Sequence, residues 1–168
     1  MQARHHLRRC IAAAALLPLP AIASIDAPAR AQELGTCFGQ PATIVGTGHT
    51  ITGTDGPDVV ITNGAVEVTT LGGDDLVCVT GRADNGFYDT GPGSDRVDSS
   101  AVRRRSSGFT VILGGGDDQM IGGARTETVL ADNGSLADAD RDLIFTGSGR
   151  DFVRTGGVGA IKTETRYI

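Results

Sequence analysis

The chain has no tryptophan, two methionines and only 4% aromatic residues in 168 positions. A core built from large side chains is therefore excluded, and whatever core exists must be made of small aliphatic residues. Lysine occurs once, at Lys162, and His49 is the one histidine beyond the first six residues. Nucleophile elbows, phosphate-binding loops and zinc-binding helices are also missing, because none of their residue patterns occurs. Proline is sparse at 6 residues while glycine reaches 25, a balance that favours a fold dense in turns. The 39% hydrophobic content, with regularly recurring Val and Ile, argues against full disorder.

Long apolar runs are absent too. The longest extends from Ile11 to about Leu19, shorter than the roughly 20 residues that span a bilayer. Arg4, Arg8 and Arg9 precede it, and small residues follow at Ala21-Ile-Ala23 and Ala29-Arg-Ala31. This arrangement is that of a secretory signal peptide over residues 1–31, with cleavage after residue 23 or 31, leaving a single domain over 32–168 and no membrane span. Loss of Arg4, Arg8, Arg9 and Arg30 with Asp26 takes the net charge from -5 to -8. Such an acidic surface repels nucleic acid and anionic membrane and suits a secreted, cation-binding protein. Cys10 leaves with the leader, so Cys37 and Cys78 form an even pair in an oxidising compartment, where a disulfide between them is expected.

What the chain does have is an array. Gly-x-Asp-x-aliphatic occurs at Gly56-Pro-Asp58-Val-Val60, Gly73-Asp-Asp75-Leu-Val77, Gly93-Ser-Asp95-Arg-Val97, Gly116-Asp-Asp118-Gln-Met120 and Gly149-Arg-Asp151-Phe-Val153. Glycine lets the chain turn, the aspartate offers a hard oxygen ligand, and the aliphatic residue two places on points into a core. The aspartates are separated by 17, 20, 23 and 33 residues, and the last gap divides into 24 and 9 if Asp142 is a sixth copy. Between them lie β-rich runs of three or four residues, with no helical periodicity. In a parallel coil with two strands per rung, this step stacks successive aspartates on one edge, while Asp151, nine residues after Asp142, switches sides. Asn63-Gly64, Gly81, Ser99-Ser100, Gly122-Gly123 and Asn133-Gly134 form the opposite edge. Six or seven rungs are expected.

The segments Gly53-Thr-Asp-Gly56-Pro-Asp58-Val-Val60 and Leu113-Gly-Gly-Gly116-Asp-Asp118-Gln-Met120-Ile-Gly-Gly resemble the Gly-Gly-x-Gly-x-Asp-x-aliphatic-x nonapeptide of hemolysin-type (RTX) calcium-binding repeats. The stretch Cys37-Phe-Gly-Gln-Pro-Ala-Thr-Ile-Val-Gly-Thr47 is similar to the start of small secreted bacterial calcium-binding repeat proteins. The resemblance covers roughly residues 42–157. It implies an all-β, right-handed parallel β-roll or β-helix solenoid with Gly/Asp-rich turns. It also implies Ca2+ held between adjacent turns by Asp58, Asp75, Asp95, Asp118, Asp142 and Asp151 and by the carbonyls of turns containing Gly56, Gly73, Gly93, Gly116 and Gly149. Nine residues before Asp58 stands His49, a poor calcium ligand, so that turn is expected to hold no metal.

Two other classes compete with a calcium-binding coil. Parallel β-helices host polysaccharide lyases and hydrolases, for which Asp74-Asp75 or Asp117-Asp118 would be the paired carboxylates, although no aromatic platform for sugar is evident in the sequence. A calcium-independent adhesive or structural coil would replace metal with Thr and Asn ladders. Arg103-Arg104-Arg105 reads as an exposed loop between rungs, and the polar tail from Lys162 to Ile168 as an end cap.

Overall fold

The computed structural model describes residues 34–102, 107–131 and 140–155. Residues 1–31, expected to be a signal peptide, with Arg103-Arg104-Arg105, Asn133-Gly134 and the Lys162–Ile168 tail, lie outside the described residues. Fourteen short strands follow one another, with no helix among the described residues: β1 (Thr36–Cys37), β2 (Gln40–Pro41), β3 (Ile44–Val45), β4 (Thr50–Thr52), β5 (Val59–Ile61), β6 (Glu67–Thr69), β7 (Leu76–Cys78), β8 (Phe87–Asp89), β9 (Arg96–Asp98), β10 (Phe109–Ile112), β11 (Gln119–Ile121), β12 (Glu127–Leu130), β13 (Leu143–Phe145) and β14 (Phe152–Arg154). From β3 onward the odd strands build one six-stranded parallel sheet and the even strands a second. The chain therefore winds through six rungs of a β-solenoid, one strand of each sheet per rung.

Short strands bounded by glycine and aspartate turns can satisfy their backbone groups only by pairing with the rungs above and below. The side-chain alternation of a strand then sends every second residue inward. In the first sheet Val60, Val77, Val97, Met120 and Ile144 stand in register and are fully buried. The first four are aliphatic residues of the repeated pattern and Ile144 follows Asp142 at the same offset, whereas Val153 of the last copy stands in the second sheet beside Val129. Ile51, Val68, Tyr88, Val111 and Val129 form the facing column of the second sheet. The space between the sheets suits branched aliphatics, which accounts for the lack of large aromatics. Tyr88 fits because Ala65 and Ala83 beside it are small and Gly86 has no side chain; its ring meets Phe109 edge-on with centroids 5.6 Å apart, and its hydroxyl donates to the Ala65 carbonyl at 3.3 Å.

The hairpin β1–β2 is antiparallel and packs on the outer face of the first sheet against β5 and β7. The expected Cys37–Cys78 disulfide is present and fastens it there across 41 residues of sequence. On the chain-entropy account, closing a loop of that length stabilises by about 4 kcal/mol. Phe38, at the hairpin turn, lies 4.2 Å under the Arg96 guanidinium, so the cap ends in a cation–π contact.

Register places His49 directly before β4, on the opposite edge from Asp58. Thr50 pairs with Glu67, which puts His49 beside Val66 at the entry of the second sheet, where its carbonyl accepts the Val66 and Glu67 amides. Ile44 pairs with Val60, so the residue level with Asp58 in the first rung is Ala42. A step of nine is half a rung and changes edges; only a full rung returns to the same one. The turns at Asn63-Gly64, Gly81, Ser99-Ser100 and Gly122-Gly123 do form the opposite edge, each joining a first-sheet strand to the next strand of the second sheet.

Turn stacking makes some glycines obligatory. A Cβ on Gly116, at φ 127°, would lie 2.0 Å from the Gly93 carbonyl oxygen, whereas one on Gly64, at φ 92°, would meet nothing within 4 Å. Gly64→Ala is expected to cost about 1 kcal/mol from backbone strain alone. Gly116→Ala must also displace the neighbouring rung and is expected to cost several times as much in urea denaturation; equal losses would contradict the stacking.

Candidate metal centre

Asp58, Asp75, Asp95, Asp118 and Asp142 each sit in the turn that leads into a first-sheet strand, one residue before it. The strand registers line Asp58, Asp75, Asp95, Asp118 and Asp142 up as one column, one per rung. The carboxylates bind the turns together directly. The Asp58 amide donates to Asp75 Oδ1 at 2.8 Å, the Asp75 amide to Asp95 Oδ1 at 2.9 Å, the Asp95 amide to Asp118 Oδ1 at 2.8 Å, and the Asp118 amide to Asp142 Oδ1 at 3.1 Å. Asp142 belongs to the column although no glycine stands two places before it. Asp140 occupies that place instead, and its Oδ2 accepts the Gly116 amide at 3.0 Å.

Gly73, Gly93 and Gly116 stack within the same turns, and each would clash with the backbone of the preceding rung if it carried a Cβ. Gly56 heads the row without that restriction, since the nearest atom to its added Cβ is Thr54 Oγ1 at 3.9 Å. Asp74 and Asp117 have a separate use: Asp74 Oδ1 accepts the Ser94 amide and Asp117 Oδ1 the Arg141 amide, both at 2.9 Å. These outer acids tie each turn to the one after it, while the inner column ties each turn to the one before. The adjacent carboxylates considered as an acid–base pair are thus divided between two backbone ladders.

Asp151 lies on the opposite edge with Gly149. Its Oδ1 accepts the Glu127 amide at 3.1 Å, repeating the amide-to-carboxylate contact of the main column. Glu127 is the acid that the sequence reading missed. It is fully buried, and its Oε1 accepts the Ser99 hydroxyl and the Gly123 amide, each at 3.0 Å. A search for Gly-x-Asp passes over Gly122-Gly123-Ala-Arg125-Thr-Glu127, because Arg125 replaces the glycine and glutamate the aspartate. The preceding glycine doublet and Val129, the buried aliphatic two places on, were the available signal.

The column is almost sealed from water: Asp58 is 5% exposed, Asp118 2%, and Asp75 and Asp95 not at all. Asp58 Oδ2 is satisfied by the Thr54 amide at 2.7 Å and the Thr54 hydroxyl at 3.1 Å. Among the described residues no hydrogen bond of good geometry closes on Oδ2 of Asp75, Asp95 or Asp118, or on Oε2 of Glu127; the Thr70 and Thr90 hydroxyls, which donate to carbonyls of the next rung, lie close enough to Asp75 and Asp95 to offset part of the effect of burial. Burial raises the pKa of Asp75, pushes Asp95 up to about 7 and Asp118 up to about 8, and neighbouring carboxylates add to each rise. Glu127 is raised to about 7, again chiefly by burial.

These donors fit calcium in kind: all are oxygens, and several are buried without a hydrogen bond. Among the described residues no three His, Cys, Asp or Glu side chains converge on one point, so an ion held here draws the rest of its shell from backbone carbonyls. The fold and this edge define a parallel β-solenoid with a buried carboxylate column. No protein-family model, curated protein or solved structure matches the chain.

A pH dependence follows for the metal-free protein. The unfolded carboxyls titrate near about 4, whereas folded Asp95, Glu127 and Asp118 titrate at about 7 to 8. Across that window the folded state holds protons that the unfolded state has released, so stability falls as pH rises. In chelator, the melting temperature is expected to fall between pH 5 and pH 8, and Asp118→Asn is expected to flatten the profile. A melting temperature that rises over this window would contradict the burial assigned to the column.

Proposed function

We propose that this chain is an exported calcium-binding β-roll of the hemolysin-type (RTX) repeat kind, in which metal binding between rungs is coupled to folding. The observation that carries the reading is the row of buried, unpartnered oxygens on Asp75, Asp95 and Asp118. Left charged, carboxylates about 5 Å apart repel by about 3 kcal/mol per pair at an effective dielectric of 20. A divalent cation beside the orphaned oxygens removes that repulsion and supplies the missing partner. Calcium suits the site better than magnesium, because mixed carboxylates and turn carbonyls give an irregular shell rather than a tight octahedron. Zinc would favour Cys or His, and the two described cysteines are joined to each other.

Asp75, Asp95 and Asp118 would hold the ions, with turn carbonyls completing each shell; Asp58 and Asp142 flank the column, and Asp151 with Glu127 belongs to the other edge. Ions bound only by the wound chain stabilise it by mass action. Export is supported by the leader-like first 31 residues and by the disulfide, which persists in oxidising compartments. The acidic charge disfavours nucleic acid as a partner.

One observation favours a second reading, a coil that stands without metal. The buried hydroxyls of Thr70 and Thr90 reach up one rung, Thr70 Oγ1 donating to the Thr90 carbonyl at 2.9 Å and Thr90 Oγ1 to the Leu113 carbonyl at 2.7 Å. Such threonine ladders join rungs without a cation.

Isothermal titration calorimetry separates the two. Calcium is expected to bind the wild type and Asp74→Asn, with roughly tenfold or greater loss of affinity in Asp95→Asn and Asp118→Asn, which corresponds to about 1.4 kcal/mol or more. Magnesium is expected to give no comparable heat. Absence of calcium binding, or equal binding by all four proteins, would leave the threonine-laddered coil as the better account.

A further inference from the structure

The outer face of the second sheet carries a feature that the acidic edge does not explain. Phe87 is 43% exposed and Phe152 59%, although the chain has few aromatic residues. Register places both in one outward column: Phe87 pairs with Thr110, Thr110 with Thr128, and Thr128 with Phe152. Three rung steps of about 4.8 Å put the two aromatic positions about 14 Å apart along the solenoid axis. The hydroxyls of Thr110 and Thr128 lie between them.

Beside this column runs a groove of about 320 Å³. Gly86 and Gly108 give it backbone walls, and Asn85, Phe109, Thr110, Thr126 and Thr128 line the rest. Its lining contains hydroxyls, an amide and backbone but no charged side chain, within a chain of net charge -5. Glu67 pairs with Phe87 and continues the outward column on the side away from Phe152, and Asp89 lies two residues along β8; neither acid is in the groove lining between the two phenylalanines.

We propose that this face binds a neutral oligosaccharide, laid along the solenoid axis between Phe87 and Phe152. Sugar rings present apolar C–H faces that stack on aromatic rings, and their hydroxyls exchange hydrogen bonds with threonine hydroxyls and an asparagine amide. A concave site with apolar platforms and a few fixed polar groups is the usual form of a small-ligand site. An anionic ligand would find no cation in the lining, and a basic peptide no carboxylate. The lining residues come from three successive rungs and Phe152 from the next, so the face from Phe87 to Phe152 suits an extended chain of several sugars rather than a single ring. No aromatic platform is visible in the sequence because Phe87 and Phe152 are far apart there; winding brings them into one column. The proposal does not depend on metal at the acidic edge.

The test uses 15N-labelled protein in calcium-containing buffer with four probes: cellohexaose, xylohexaose and mannohexaose as neutral chains and hexagalacturonate as the acidic one. At least one neutral hexasaccharide is expected to shift the amides of Gly86, Gly108 and Thr126. Phe87→Ala and Phe152→Ala are each expected to weaken that binding roughly tenfold, and Thr110→Val with Thr128→Val to weaken it further, with circular dichroism unchanged. Three results would overturn the proposal: no neutral chain shifts these amides at millimolar concentration, only hexagalacturonate does, or the phenylalanine variants leave binding intact. If instead the phenylalanine substitutions dissociate a dimer seen by sedimentation and no sugar binds, the face is a contact between two copies of the chain and the sugar site is refuted.

Discussion

Everything in this molecule depends on one contact repeated from rung to rung: the backbone amide of a turn aspartate held by the carboxylate of the aspartate one rung on. Parallel strands of three residues cannot fix their own register, since so few ladder bonds form in each. The amide-to-carboxylate ladder supplies that register from the edge. It holds the turns at one spacing, which brings Val60, Val77, Val97, Met120 and Ile144 into a single buried column. Stacked glycines allow the approach, and the aliphatic core follows from it.

The same ladder creates the electrostatic problem at the centre of this protein. Using Oδ1 of each aspartate as a backbone acceptor carries the whole carboxyl into the interior, where Oδ2 of Asp75, Asp95 and Asp118 is left without a partner. A buried carboxyl in that position either holds a proton or faces a cation, because an isolated buried charge is costly. On the proposed reading, protons and calcium compete for one set of oxygens. That reading links folding, pH and metal through one competition rather than through separate devices.

Much of this was legible in the sequence, for a physical reason. Glycine, aspartate and an aliphatic residue at fixed offsets carry the turn, the ladder and the core, so Asp58, Asp75, Asp95, Asp118 and Asp142 could be assigned to one edge, and Asp151 to the other, by counting full and half rungs. His49, nine residues before Asp58, directly precedes β4 on the opposite edge, and Ala42 is the residue level with Asp58. Glu127 was hidden because both of its marker residues are replaced. The outward column of Phe87, Thr110, Thr128 and Phe152 was not readable, since rung lengths vary and no outward residue type recurs to mark the register. The pairing of Cys37 with Cys78 could be inferred, but not the hairpin's seat on the outer face of the first sheet.

The central claim is that the buried column is neutralised by metal between rungs, and crystals grown in calcium chloride test it most directly. An anomalous difference map is expected to show peaks within about 2.3–2.6 Å of Oδ2 of Asp75, Asp95 or Asp118, with turn carbonyls completing each shell. A well-ordered column with the amide ladder intact and no such peak would contradict the account and show that these carboxyls hold protons instead.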